Sequence, residues 1–445
     1  MLGGGTWSQQ NKVLPGTYIN VSSAAAASSA LSDRGYVAMP IALDWGPEGE
    51  IFTIKRDDFI KNCRKLLGYS YSDKEMLPLR ELFQYAQVVH AYRLNSGGTK
   101  AANTYGTAKY AGTVGNKLSV VVSVNVDEET KFDVGTYYGS TLIETQTVAS
   151  AAELHDNDYI NFKHDATLEE TAKLPLTGGA NGEITVEAYQ NFLDKAESYS
   201  YNVLGCPTND ATVIGLFINF TERMRDKVGA KFQTVIFNAY GGVKKADHEG
   251  IIEVGSKVVD FDTTVAGLGI YGLVYWVAGV AATCAVNASN TNRVYNGELA
   301  IAADYTQAEL ENSILEGWFM LHRVGDEIRV LEDINSLTTL TDDKGALFQS
   351  NQTIRVIDQI ANDVAALFNT RYLGLIPNDA DGRVSLWNDI VKIHEELEAI
   401  RAIENFDSDS VVIAQGNSKK SVVCSISGIR IINAMSQLYM NVIIE

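Results

Sequence analysis

The chain has 445 residues, 46% hydrophobic and 20% charged, an ordinary soluble composition that can fill the cores of about three domains. Fifty-five acids against thirty-six bases give a formal net charge of −19, which repels phosphate backbones and anionic lipid and argues against nucleic-acid partners and membrane surfaces. Cys63, Cys206, Cys284 and Cys424 form no CxxC pair, so neither a zinc site nor a disulfide framework is signalled, and reduced thiols in a cytosol-made protein are expected.

The first residues, MLGGGTWSQQNK, lack a basic region followed by an apolar run, so no secretory signal is expected. Residues 1–24 read as an N-terminal arm. Pro15 denies the Val13–Val21 segment a ladder donor, while Thr17, Ile19 and Val21 alternate with Tyr18 and Asn20, a pattern that predicts an edge strand. A lone strand is not stable in water, so this one needs a sheet elsewhere, on this chain or another. Residues 25–99 read as the N-terminal part of the core. VAMPIALDWGP predicts a strand ending in a turn, Asp57–Leu67 and Pro78–Val88 predict helices, and Ser72 with Glu75 has capping-box spacing.

Residues 100–180 change character. Leu118, Val120, Val122, Val124 and Val126 alternate, and TLIETQTVAS and YINFK follow as short apolar segments between polar turns, which predicts an all-β module. Across residues 181–335 strands and helices alternate: helix Thr185–Ser198, strand Tyr201–Cys206, helix Ala211–Lys227, strands Lys231–Asn238 and Ile251–Val254. Helix Gln307–Leu315 comes next, opened by a Thr306/Glu309 capping box, and then strands Trp318–His322 and Glu327–Glu332. That order implies a parallel α/β sheet covered by helices. Residues 336–445 carry amphipathic helices at Asn351–Phe368 and Ser385–Ile403, β segments at Ser410–Gln415 and Lys420–Ser425, and a closing strand in which Leu438, Met440, Val442 and Ile444 line one face.

Thirty uncharged residues, Thr263–Asn292, invite two sharper readings. The run is long enough for a bilayer span, which needs roughly 20 apolar residues, but it is dominated by Gly and Ala, ends in polar residues and has no flanking basic bias. Gly267, Gly269 and Gly272 spell GxGxxG, the basis of the alternative that the chain is an NAD-dependent α/β enzyme. A working fingerprint follows a strand and finds an acid about 20 residues on, whereas position 292 is Asn and the next acid is Glu298. A buried Gly- and Ala-rich helix is the simpler expectation.

No other stretch assembles chemistry. TGGANG at Thr177–Gly182 lacks the GK[ST] ending of a phosphate loop, and no GxSxG elbow occurs. His155 and His164 flank a predicted strand among acids and could touch a metal, although solvated loop histidines are the simpler reading. Lys419 and Lys420 are a basic spot on an acidic chain, read either as a solvated hairpin tip or as a contact for an acidic partner. No catalytic, cofactor or metal residues are assigned.

The segments GGGTWSQQNKVLPGTYINV, LTGGANG, AVNASNTNRVYNGEL, VGDEIRVLEDINSLT, NQTIRVIDQIANDVAALF and MSQLYMNVIIE, taken in order, resemble the contractile phage tail sheath protein family, in the branch of Gram-positive phages and phage-tail-like bacteriocins. The resemblance implies a multi-domain α+β chain whose central α/β domain is subtilisin-like but lacks a triad. It also implies an inserted β module and a C-terminal domain completed by arm strands from neighbouring subunits. The matching arm pieces are Val13–Val21, with Val13, Tyr18, Ile19 and Val21, and Gln437–Ile444, with Leu438, Met440, Val442 and Ile444. The implied function is non-enzymatic and needs no cofactor: hexameric rings stack helically around a tail tube protein and contract to drive it through a cell envelope. Baseplate and tail terminator proteins are the further partners, and assembly into a virion tail or tail-like particle follows synthesis in the host cytoplasm. For tube contact the candidates are the helix Ser385–Ile403 and the Lys419/Lys420 hairpin.

Overall fold

Short runs that are apolar at nearly every position, such as Val203–Cys206 and Ile251–Val254, are stable only in strands covered on both faces. The computed structural model, which describes residues 31–444, builds its main sheet from such runs. The first third supplies β1 (Tyr36–Ile41), β2 (Ile51–Lys55), α1 (Arg56–Leu67), α2 (Leu77–Phe83) and β3 (Val88–Arg93). A β module follows, with β4 (Gly106–Ala108), β5 (Leu118–Val124), β6 (Phe132–Tyr138), β7 (Thr141–Val148), β8 (Ile160–Phe162) and β9 (Thr171–Pro175). The chain then returns through α3 (Val186–Ala196), β10 (Val203–Cys206), α4 (Ala211–Glu222), β11 (Gln233–Phe237), β12 (Ile251–Val254), α5 (Leu273–Thr283), α6 (Gln307–Leu315), β13 (Leu321–Val324) and β14 (Glu327–Val330). It closes with α7 (Asn351–Leu367), α8 (Ala380–Ala399), β15 (Ile403–Glu404), β16 (Val411–Gln415), β17 (Val422–Ile426) and β18 (Arg430–Ile431).

The central sheet has six strands in the order β12-β11-β10-β1-β3-β2. All neighbours are parallel except the β2–β3 edge pair. Alternate residues divide between two cores, as the pleat requires. Val37, Met39, Ile41, Val89, Ala91, Val235 and Val254 face α2 and α5; Ala38, Leu204, Cys206, Ile236 and Ile251 face α3 and α4 through Phe192, Leu193, Phe217 and Phe220. The N-terminal segment therefore contributes half the strands of the sheet, and the β module is an insertion between β3 and α3.

The module's four-stranded sheet runs β7-β6-β5-β9, with β4 and β8 paired beside it. Its entry and exit strands zip together: Thr99 and Ala180 exchange backbone hydrogen bonds at 2.9 and 3.1 Å, and Ala102 and Thr177 at 2.9 and 3.1 Å. The TGGANG motif is one side of this stalk. A Cβ added at Gly182 would lie 1.8 Å from the Ser96 carbonyl oxygen, and one at Gly98 would lie 2.1 Å from that of Ala180. Arg93, fully buried, donates from the sheet side to the Gly46 and Ala111 carbonyls, while Asn181 donates to Asp44 at 2.6 Å. Gly182→Val is expected to cost more than about 3 kcal/mol through backbone displacement, read as a lower urea midpoint than that of Gly345→Val, whose extended backbone position meets nothing within 4 Å.

Several sequence expectations need correction. Helix α2 stops at Phe83, not Val88, because the Gln87 amide donates to the Gly35 carbonyl at 2.9 Å and Val88 enters the sheet. The Ser72/Glu75 capping box does not form: Asp73 instead accepts from the Ser70 amide at 2.7 Å, and α2 begins at a Pro-containing first turn without a side-chain cap. By contrast, the Thr306/Glu309 box is present. The uncharged run is helical only over Leu273–Thr283, since Gly267 and Gly269 lie in turns before it. Every residue of α5 from Leu273 to Ala282 is buried, and a Cβ at Gly279 would sit 2.5 Å from the Leu82 carbonyl oxygen, so this glycine sets the close approach of α5 to α2. Among the described residues no helix is long and apolar enough to cross a membrane.

Candidate functional site

The C-terminal domain presents a sheet that is too small. Strands β16 and β17 form an antiparallel hairpin with Val411 opposite Ile426, Ile413 opposite Cys424 and Gln415 opposite Val422. These residues share one face, and that face packs with Leu386, Ile390 and Val391 of α8 in one apolar cluster. Trp387 fixes the packing by donating its indole N–H to the Val411 carbonyl at 2.9 Å. Two strands alone are marginal in water, and each edge of a hairpin is a template for another strand.

Lys419 and Lys420 occupy the exposed hairpin tip. Asn378, just before α8, donates its amide to the carbonyls of Lys419 (3.1 Å) and Ser421 (2.8 Å), and Arg383 in turn holds Asn378 at 3.0 Å. The two predicted tube-contact elements are thus joined. Their shared end also exposes Leu375, Ile376 and Val384, an apolar ledge beside the basic tip.

Both described chain ends are rooted on α7 and on α8 or the turn that follows it. At the N-terminal side the Leu31 amide donates to Glu396 of α8 at 3.1 Å, and the Ser32 hydroxyl to Asp363 of α7 at 2.5 Å. At the C-terminal side the Ile432 amide donates to Ala402, and the Gln352 side chain holds the Ile432 carbonyl and the Ala434 amide at 3.0 and 2.9 Å. Beyond Ala434 the predicted closing strand is absent among the described residues. Leu438, Met440, Val442 and Ile444 are 86%, 76%, 67% and 90% exposed, and Tyr439 and Ile443 on the opposite face are exposed as well. A strand needs a ladder partner, and within the described chain this segment has none. Val13, Tyr18, Ile19 and Val21 lie outside the described residues.

A buried polar seam joins the C-terminal domain to the central one. Arg225 pairs bidentately with Asp358 of α7 at 2.7 and 2.9 Å, both partners at least nine-tenths buried. Arg355 pairs with Asp333 at 2.7 Å, and Asp333 also accepts from the Asn290 amide and the Asn351 side chain, each at 2.9 Å. These carboxylates therefore have the charge partners and donors that burial demands.

The GxGxxG glycines form no phosphate cradle. The parallel strands run in the order β3-β1-β10-β11-β12, which places the topological switch point, where folds of this order bind ligands, between β1 and β10. Gly267 lies there against Ala42, with its carbonyl accepting from the Tyr275 hydroxyl at 3.2 Å. The Gly272, Val274 and Tyr275 amides at the helix entrance donate back to Gly269, Tyr271 and Gly272, and a Cβ at Gly269 would strike the Tyr271 ring. The crevice is filled by the chain's own loop.

His155 and His164 are exposed loop residues. Among the described residues the group that converges with metal-like spacing is Asp226, His248 and Glu249, which the sequence did not single out. Its atoms are committed elsewhere. His248 Nδ1 accepts the Gly250 amide at 2.9 Å, which leaves the proton on Nε2, facing Asp226 at 3.2 Å. Glu249 accepts from Lys344 at 2.9 Å. The hydrogen bond from His248 holds the Asp226 carboxyl below the usual carboxylate range.

Comparison with known proteins decides what this architecture is. Residues 182–336 match the phage tail sheath protein central domain, 343–445 the phage tail sheath C-terminal domain, 96–181 the phage tail sheath beta-sandwich domain, and 34–94 the N-terminal region of tail sheath protein Gp18 domain III. The chain belongs to the phage tail sheath protein family. The crystal structure of the sheath tail protein of Desulfitobacterium hafniense is 35% identical, with 90% of this chain and 93% of that one aligned at a TM-score of 0.76. That of Listeria innocua is 32% identical, covering 91% and 93%, at 0.79. The uncharacterized protein YqbK of Bacillus subtilis is 30% identical over 99% of both chains. This is a family of structural proteins of phage tails and tail-like particles.

The motifs that carried the resemblance turn out to be joints of the sheath subunit. RVYNGEL clamps α2 to α5: the Tyr295 ring meets Trp276 edge-on at 5.2 Å, and Asn296 accepts from both Trp276 and Tyr85 at 3.1 Å. Glu81, fully buried, accepts from the Tyr295 hydroxyl at 2.9 Å and the Glu298 amide at 2.5 Å. Burial pushes its carboxyl up to about 7 despite those two donors. A carboxyl whose folded value is raised contributes stability in its protonated form, which is lost as pH rises from the unfolded value, near 4.5, through about 7. Glu81→Gln cannot ionise, so relative to wild type it should gain on the order of 2–3 kcal/mol between pH 4.5 and 8, measured by urea unfolding at a series of pH values. A wild-type-minus-variant difference independent of pH would refute this.

Proposed function

We propose that this sheath subunit polymerises as hexameric rings stacked helically around a tail tube, and that contraction of the polymer drives the tube through a target envelope. In this reading the chain is made in the host cytoplasm, uses no cofactor, carries out no catalysis, and meets baseplate and terminator proteins at the ends of the polymer. The observation that carries it is the mismatch in the C-terminal domain: a two-stranded hairpin seated on α8, and a tail of exposed apolar residues that leaves the same domain without a ladder partner among the described residues. Strand addition between subunits resolves both, with backbone bonds for affinity and side-chain positions for register. The tail would pair through Leu438, Met440, Val442 and Ile444, and the N-terminal arm through Val13, Tyr18, Ile19 and Val21. The extended polymer is the metastable state, the contracted one buries more intersubunit surface, and the arms keep the lattice connected while subunits shift.

The ledge of Lys419, Lys420, Leu375, Ile376 and Val384 is our candidate for the tube-facing surface. Lys419→Glu with Lys420→Glu is expected to leave the melting temperature unchanged, because both side chains are exposed, and to reduce tube co-sedimentation at least tenfold. Unchanged co-sedimentation would move tube contact to another surface.

A further inference from the structure

We infer that Gln352 is the positioning residue that aims the C-terminal tail at its neighbour, so that a second copy of the chain receives the tail from a fixed point of departure. The inference rests on the arm reading above and adds a residue-level device to it. Gln352 lies in the first turn of α7 and is 3% exposed. Its carboxamide does what a neighbouring strand would do: Nε2 donates to the Ile432 carbonyl at 3.0 Å while Oε1 accepts from the Ala434 amide at 2.9 Å. Two further contacts tie down the same three residues. The Ile432 amide donates to the Ala402 carbonyl at 3.0 Å, and the Asn433 side chain meets the Thr353 hydroxyl at 3.3 Å.

Past this clamp the chain leaves the body of the subunit. Met435 is fully exposed, and among the described residues the side-chain hydrogen bond found within 435–444 is internal, from Tyr439 to Gln437. Ten residues at about 3.3 Å each reach roughly 33 Å. A tail of that reach rooted on a freely rotating stem would sample a hemisphere, whereas a rooted one samples a cone. Fixing the three stem residues in advance removes an ordering cost from every junction in the polymer. The clamp itself is built from α7, whose buried Asp358 and Arg355 pair with Arg225 and Asp333 of the central domain, so the direction of departure is referred to the body of the subunit.

The test uses the full chain and three variants. Gln352→Ala removes both bonds from the body side. Ala434→Pro removes the amide donor from the exposed tail side and so acts where the body's fold is not at risk. Deletion of 435–445 tests the arm itself. For each, circular-dichroism melting, amide exchange at Ile432 and Asn433 (and at Ala434 wherever the alanine is kept) and the concentration at which sedimentable polymer appears are measured. We expect Ala434→Pro to melt as wild type and Gln352→Ala, which empties a buried position, to melt lower; both should lose exchange protection at the stem and need at least about tenfold more protein to assemble, with the deletion not assembling. Wild-type assembly by either point variant, with the stem amides exchanging freely, overturns the role of Gln352 while leaving the arm intact. Wild-type assembly by the deletion overturns the arm reading instead.

Discussion

Deleting residues 435–445 is expected to yield a folded, monomeric protein that forms no sheath polymer at concentrations where the intact chain does. The folding half of this result follows from burial. None of Met435, Leu438, Tyr439, Met440, Val442, Ile443 and Ile444 is less than 67% exposed, so removing them takes nothing from the described cores, and the change in stability should stay within about 0.5 kcal/mol. The assembly half follows from what the tail lacks at home. Each large aliphatic side chain contributes about 1.5–3 kcal/mol when fully buried, and four of them stand in strand alternation at Leu438, Met440, Val442 and Ile444. Losing such a contact at every junction should raise the assembly concentration by more than about a thousandfold. Sedimentation and electron microscopy of the truncated chain check both halves together.

The second large effect concerns the seam between the central and C-terminal domains. Asp358→Ala should leave the Arg225 guanidinium, itself nearly fully buried, facing a cavity. Removing one partner of a buried ion pair typically costs about 3–5 kcal/mol, a large fraction of the roughly 5–15 kcal/mol by which domains are stable. Arg225 also donates to the Phe232 carbonyl, next to β11, so the damage should spread into a strand one place in from the edge of the central sheet. The double variant Arg225→Met with Asp358→Leu should recover most of that loss, because apolar groups of similar volume need no compensating charge. Urea unfolding of the three proteins measures it, and equal stability of Asp358→Ala and wild type would show that the seam does not hold the domains.

Why part of this was legible in the sequence, and part was not, is visible in particular residues. The alternation of Leu118, Val120 and Val122 is the pleat of a half-buried strand, and β5 formed where it was expected. Helices α3, α4, α6 and α7 begin where they were expected or within a residue of it, and the Thr306/Glu309 box read from the sequence opens α6. What failed was non-local. Val88 reads as helix until the sheet claims it, and Ser72 reads as a cap until Asp73 takes the turn. The seam was invisible, because Arg225 and Asp358 are 133 positions apart and look like ordinary surface charges. The Gln352 clamp was hidden for the same reason, since a glutamine in a first helical turn carries no sign of the strand it holds. The closing strand is a different case: alternation describes what a segment can pair with and does not supply the partner, which the described chain does not hold. The GxGxxG glycines were real constraints with another cause, the packing of a loop against Ala42 and Tyr271.

Strand exchange through the C-terminal domain is what links one subunit to the next in the proposed polymer. Cryo-electron microscopy of the polymer assembled from the intact chain tests that most directly. The predicted map shows rings of six subunits in which β16 and β17 are flanked on their two edges by Val13–Val21 of one neighbour and Gln437–Ile444 of another. A well-resolved polymer in which that hairpin stays two-stranded, or in which the tail folds back on its own subunit, would contradict it.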